Sequence, residues 1–216
     1  MAQQERAVRT RETVLVAAGE AFGENGFLGT SMADILARAG VTKGALYFHF
    51  SSKDELAVAV IEEQEEVAAR IAACARESDQ PPLIALVSMT TRWAHEIQSN
   101  PVVRAGVRLI IEQGTYERPM AKPYGSWAGL VIELLQRARD RGELRAGLDP
   151  ETTAAFIVCA FTGTQLLSQV TSGHQDLQQR VEDMWKVLFS GLLPAGQSVL
   201  FMPSMSGAPG EPGGQP

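Results

Sequence analysis

Cysteine is scarce in this chain of 216 residues: Cys74 and Cys159 are the only two, they lie far apart, and they belong to no CxxC or metal-ligand spacing. No disulfide framework is expected, and each thiol reads as the small hydrophobe that a core commonly holds. Histidine is as sparse. His49, His95 and His174 are too scattered for an HxxxH or HExxH zinc motif, so no metal is expected. No nucleophile and base pair or phosphate-binding glycine loop can be assembled from what remains, and the chain reads as neither an enzyme nor the holder of a cofactor.

Signals for strands are missing too, since Val, Ile and Thr do not alternate between turn residues. No apolar run approaches the roughly 18 residues of a membrane span. The N-terminus is charged and helical, unlike a signal peptide, so a cytoplasmic protein without a membrane partner is expected. There is no repeat at a solenoid period. What the chain does have is a succession of amphipathic stretches, with 45% hydrophobic and 20% charged residues, enough for one or two compact cores. The expected fold class is all-α.

Residues 31–56, SMADILARAGVTKGALYFHFSSKDEL, carry the densest information. Ser31 with Asp34 fits a capping box, and Met32, Ile35, Leu36 and Ala39 recur at helical spacing until Gly40 ends the run. A second helix starts after Val41 with Thr42 as N-cap, and turns Leu46 and Phe50 inward while Lys43, Tyr47 and His49 stay outside. Two short helices around a glycine turn are a helix-turn-helix, whose second helix enters the major groove of double-stranded DNA. The net charge of −6 does not oppose this, because the distribution of charge matters more than its total. Arg6, Arg9 and Arg11 precede the motif and Lys43 and Lys53 flank its second helix, while Glu62, Glu63, Glu65 and Glu66 fall further along.

The motif resembles the DNA-binding signature of the TetR family of bacterial repressors, in particular its VTKGALYFHF form. Arg11, Thr13, Ala17, Ala18, Phe22, Gly26 and Phe27 are similar to the first helix and turn of that family. The resemblance implies an N-terminal three-helix helix-turn-helix DNA-binding domain, expected over residues 1–51. A C-terminal helical ligand-binding and dimerisation domain should follow over 52–193, then a tail over 194–216 rich in Gly, Pro, Ser and Met. Within the foot, Lys43 suits a phosphate, and Tyr47 and His49 suit the DNA backbone. Thr42 and Ala45 are candidates for base edges, Ala45 against a thymine methyl. Gly44 allows close approach to the duplex or packs on the preceding helix. Phe48 and Phe50 are expected in the core.

Beyond the foot, Ser51 or Ser52 caps a long helix with a buried stripe of Leu56, Val60, Val67 and Ile71. Gln64 falls on or near that stripe, where it bonds a neighbouring helix or meets a ligand's polar group. Further helices are expected over 83–97, from Asn100 and Pro101 through Ile111, over 124–141, over 151–171 behind Asp149 and Pro150, and over 176–192; residues 114–123 read as a loop. The helix over 151–171 is apolar nearly all round, so it should face its own core and a second copy of the chain.

PVVRAGVRL (101–109), SWAGL (126–130) and AFTGTQLLS (160–168) resemble the γ-butyrolactone-type autoregulator receptors, a TetR subgroup. That resemblance implies a lactone or butenolide signal, control of secondary-metabolite genes, an indole at Trp127 lying against the ligand, and hydrogen bonds from Thr162 and Gln64. From the residues alone, Trp127 is as well a core side chain, and Thr162 can bond back to its own helix. Apolar walls are expected from Val60, Leu86, Trp93, Leu109, Ile110, Trp127 and Val158. Trp93 and Glu112 keep open a repressor of efflux genes that senses cationic drugs. A receptor homologue sensing an antibiotic end-product is a further alternative.

Overall fold

The computed structural model describes residues 2–113 and 122–195, so the expected loop at 114–123 and the tail at 194–216 fall largely outside the described residues. The described residues form helices α1 (Ala2–Asn25), α2 (Met32–Ala39), α3 (Lys43–His49), α4 (Lys53–Arg76), α5 (Pro82–Ser99), α6 (Pro101–Gln113), α7 (Lys122–Asp140), α8 (Pro150–Ser172) and α9 (Leu177–Leu192), with no strand among them. Helix α7 begins at Lys122, two residues ahead of the expected start.

Local chemistry accounts for the ends. Ser31 caps α2 through a complete capping box with Asp34, Gly40 closes it at φ 64°, and Thr42 caps α3 by accepting the Ala45 N–H. Of the two serines before α4, Ser52 is the cap, while Ser51 donates its N–H and O–H to Glu55 Oε2. Asn100 Oδ1 accepts the Val102 N–H at the start of α6. Asp149 caps α8, with Pro150 at the position where a missing N–H costs nothing.

The chain divides into two compact units, Met1–Ser78 with Arg92–Leu130, and Asp79–Thr91 with Val131–Pro216. Packing does not separate at residue 51. Helix α6 lies on both α1 and α4, so the helix-turn-helix shares one core with later helices: Val14, Ala18, Phe22, Ile35, Leu46, Phe50, Leu56 and Val60 are buried together with Val102, Ala105 and Leu109. Where α4 and α6 cross, Gly106 permits the approach. A Cβ there would lie 2.5 Å from Gln64 Cβ and 2.8 Å from its Cγ.

In the second unit α8 packs on α9. Trp185 is fully buried and its indole N–H donates to the buried Thr90 hydroxyl at 2.7 Å, which satisfies two polar groups inside an apolar interior. At the corner between the helices the Asp176 carboxylate accepts hydrogen bonds from Ser168 and Ser172, each at 2.6 Å, and from Arg180 at 2.6 Å. One side of α8 is left exposed, with Phe156 63%, Leu167 51% and Val170 77% accessible. These residues recur at helical spacing as one outward stripe. Contrary to the expectation from sequence, α8 is long and apolar enough to cross a membrane, because Glu151 is its one charged residue. Its opposite side, with Thr153, Ala154, Ile157, Phe161 and Ser168, is already buried within the unit, which is the pattern of a core helix with one side to cover.

The Ser168 and Ser172 hydroxyls, with Arg180, hold the Asp176 carboxyl down at about 2. A carboxyl depressed on folding stabilises above its unfolded value and loses that contribution as pH falls through the folded one. The corner should therefore be intact from neutral pH to about 4 and weaken as pH falls through about 2. Asp176→Asn should lower the thermal midpoint at neutral pH and flatten this acid phase, as measured by thermal melts at stepped pH.

Candidate nucleic-acid interface and ligand site

Helix α3 is anchored on one side only. Leu46 and Phe50 are buried at 0% and 2% accessibility in the core shared with α1, α2 and α4. Thr42, Lys43, Gly44 and Tyr47 are exposed, and Ala45 and His49 are half-buried. The Lys43 ammonium lies 5.9 Å from the Tyr47 ring centroid, so a cation and a phenol are presented together. A side chain added at Gly44 would meet nothing within 4 Å. Packing among the described residues therefore gives no reason for glycine at that position. Arg6 and Arg9 are exposed on α1, and Arg11 stacks its guanidinium 5.5 Å from the Phe50 ring centroid, beside the end of α3.

Two expectations change. Phe48 is 80% exposed rather than in the core, because it lies two residues, about 200°, from both inward anchors Leu46 and Phe50. Lys53 is half-buried and turned into the protein: its ammonium donates to Phe27 O and Thr30 O, both at 2.9 Å, and lies 4.3 Å from the Phe27 ring centroid. That geometry makes it a tie between α4 and the turn after α1 and takes it away from the set of cations open to a phosphate.

Of the residues expected to line a ligand site, Val60, Gln64, Trp93, Leu109, Ile110 and Trp127 belong to the first unit. Val60 and Leu109 are fully buried, Trp93 and Ile110 nearly so, and Trp127 is half-buried with its ring centroid 5.7 Å from that of Trp93. Gln64 is only 4% exposed, and its Oε1 has no hydrogen-bond partner among the described residues. An amide oxygen in that state carries a desolvation cost of about 1–3 kcal/mol that a donor would relieve. Leu86, Val158 and Thr162 belong to the second unit. There the Thr153, Thr164 and Thr171 hydroxyls bond back to carbonyls four residues earlier, whereas Thr162 makes no such bond.

The tie between α6 and the foot has no counterpart among the sequence motifs. Arg108 donates to Glu112 Oε1 at 2.7 Å and to Gly23 O at 2.8 Å, and Glu112 Oε2 accepts the Phe27 N–H at 2.9 Å. The spacing of Arg108 and Glu112 marks an ion pair on one helix face, but contacts to residues 85 positions away leave no local signal. The turn they reach is closed from within. Gly26 adopts φ 71°, and the buried Thr30 hydroxyl donates to Gly26 O and Ala21 O.

A short helix held by its inner side, with cations, a phenol and an uncrowded glycine outward, defines a helix-turn-helix regulator of DNA. Residues 14–60 match the model of the bacterial regulatory proteins of the TetR family, and residues 80–194 match that of the tetracyclin repressor-like C-terminal domain. The chain belongs to the TetR family. It is 37% identical over 196 residues to the A-factor receptor protein of Streptomyces griseus, covering 91% of this chain and 68% of that one. A crystal structure of an ArpA-like gamma-butyrolactone receptor superposes with TM-score 0.78 at 32% identity, covering 90% of this chain and 94% of the other. CprB of Streptomyces coelicolor, solved in complex with its biological operator sequence, gives TM-score 0.80 at 30% identity, with 91% and 94% covered.

Gly106→Ala should cost about 1–3 kcal/mol by forcing α4 and α6 apart at Gln64. Urea denaturation of the variant beside the parent measures this, and an unchanged midpoint would show that the crossing yields without strain.

Proposed function

We propose that the protein is a homodimeric, cytoplasmic repressor that binds a pseudo-palindromic operator and is released by a small γ-butyrolactone or butenolide-type signal, controlling secondary-metabolite genes. The observation that carries this reading is the placement of two groups on α4: the unpartnered amide oxygen of Gln64 in its buried stretch, and Lys53 at its first turn, tied to the foot. The likeness to an A-factor receptor and a gamma-butyrolactone receptor supports the ligand class. In this reading residues 1–51 read DNA and residues 52–193 bind the signal and the second copy, with no catalytic step.

On DNA, Lys43 meets a phosphate, Tyr47, His49 and the α1 arginines hold the backbone, and Thr42 and Ala45 face base edges. A two-fold dimer fits such a site when its recognition helices lie roughly 34–36 Å apart. A signal that binds more tightly to a different spacing shifts the population off DNA, by no more than that preference. Within the first unit, Gln64 supplies a polar anchor and the Trp93 and Trp127 pair an aromatic wall. The reading as a sensor of cationic drugs loses its acid, because Glu112 is engaged by Arg108 and the Phe27 N–H.

Fluorescence anisotropy on DNA from the protein's own upstream region, titrated with an organic extract of the producing culture, tests the reading. Binding abolished by the extract supports it, and binding that survives both the extract and a panel of lactones overturns the ligand class. Trp127→Ala should keep operator affinity and lose release; unchanged release would remove Trp127 from the site. Lys43→Ala should weaken binding on every sequence and lower the slope of log affinity against log salt by about one, since one phosphate contact disappears.

A further inference from the structure

Phe48 projects from the recognition helix at 80% exposure, with its ring edge-on to His49 at 5.1 Å between centroids. Its direction follows from the anchors. Leu46 and Phe50 turn inward, so Phe48, two residues from each, points away from the core, and Gly44, four residues earlier, shares that outward face. Gly44 has open space above it, so a duplex can approach this face down to the helix backbone. A partner that comes this close at Gly44 must meet the Phe48 ring one turn further on. The ring has neither donor nor acceptor, so it offers a phosphate nothing and a base edge only apolar contact. In the major groove the apolar group on a base edge is the C5-methyl of thymine.

We propose that Phe48 reads the methyl group of an operator thymine, and so sets sequence preference where Lys43 sets affinity. The inference rests on α3 being the DNA-reading helix. Because the side chain is outside the core, Phe48→Ala should fold with unchanged helicity and melting, and its effect is confined to the interface.

The test is a cycle of two deletions. Duplexes are first selected from a random pool by the wild-type protein, and each thymine of a half-site is then replaced by deoxyuridine, which removes only the C5-methyl. At one thymine the replacement should weaken wild-type binding about fourfold, the worth of one buried methyl group, and leave Phe48→Ala binding unchanged. Phe48→Leu should retain part of the preference, and the salt slope of both variants should equal that of the parent. The proposal is overturned if Phe48→Ala binds the selected duplex as tightly as wild type. It is equally overturned if the variant loses affinity while remaining as sensitive as wild type to every methyl deletion; the ring would then serve the sugar backbone. Failure of the wild-type protein to enrich any sequence would remove the DNA-reading role of α3 itself, a result separate from both.

Discussion

The turn after α1 closes only part of its own backbone and must be satisfied for the rest from outside itself, because a chain that leaves one helix and enters another exposes main-chain N–H and C=O groups that neither helix can pair. Here two later helices supply the partners. Glu112 of α6 accepts the Phe27 N–H, Arg108 of α6 donates to Gly23 O, and Lys53 of α4 donates to Phe27 O and Thr30 O. The recognition helix has no anchor of its own beyond Leu46 and Phe50, which press into the core that this turn completes. The orientation of α3 thus depends on charged side chains that begin outside the helix-turn-helix.

Those ties give helices α4 and α6 one shared point of action. Helices α4 and α6 cross tightly at Gly106, where Gln64 lies against the glycine. A group that satisfied the Gln64 amide and shifted α4 would do so against α6, and both helices end their contacts on different backbone atoms of the same short stretch, residues 23–30. Each tie joins a charged group to a main-chain atom, a class of hydrogen bond stronger than a neutral one and strict about direction. Small displacements of either helix would therefore bear on the foot.

Much of this was legible in the sequence wherever the information is local. Caps at Ser31, Thr42 and Asp149 and the stop at Gly40 each act over three or four residues, so a short motif reveals them. The placement of Leu46 and Phe50 inward was likewise a matter of period. That same period turns Phe48 outward, although its hydrophobicity alone points to the core; exposed apolar side chains are ordinary enough that hydrophobicity cannot place one without its position. The destinations of Lys53, Arg108 and Glu112 could not be read, since their partners are backbone atoms 23 to 85 residues away. A backbone atom has no side chain to announce it. The extent of the first core was hidden for a similar reason: the apolar faces of α1, α4 and α6 are each visible, but which of them share an interior is a property of the packing.

The uncovered side of α8 bears on how abruptly a gene under such control would switch. Phe156, Leu167 and Val170 in water favour pairing of chains, and when chains are few the paired species grows as the square of their number by mass action. Halving the protein, as a dividing cell does when synthesis stops, would then reduce the DNA-competent form about fourfold rather than twofold. The apolar stripe turns a gradual dilution into something closer to a threshold.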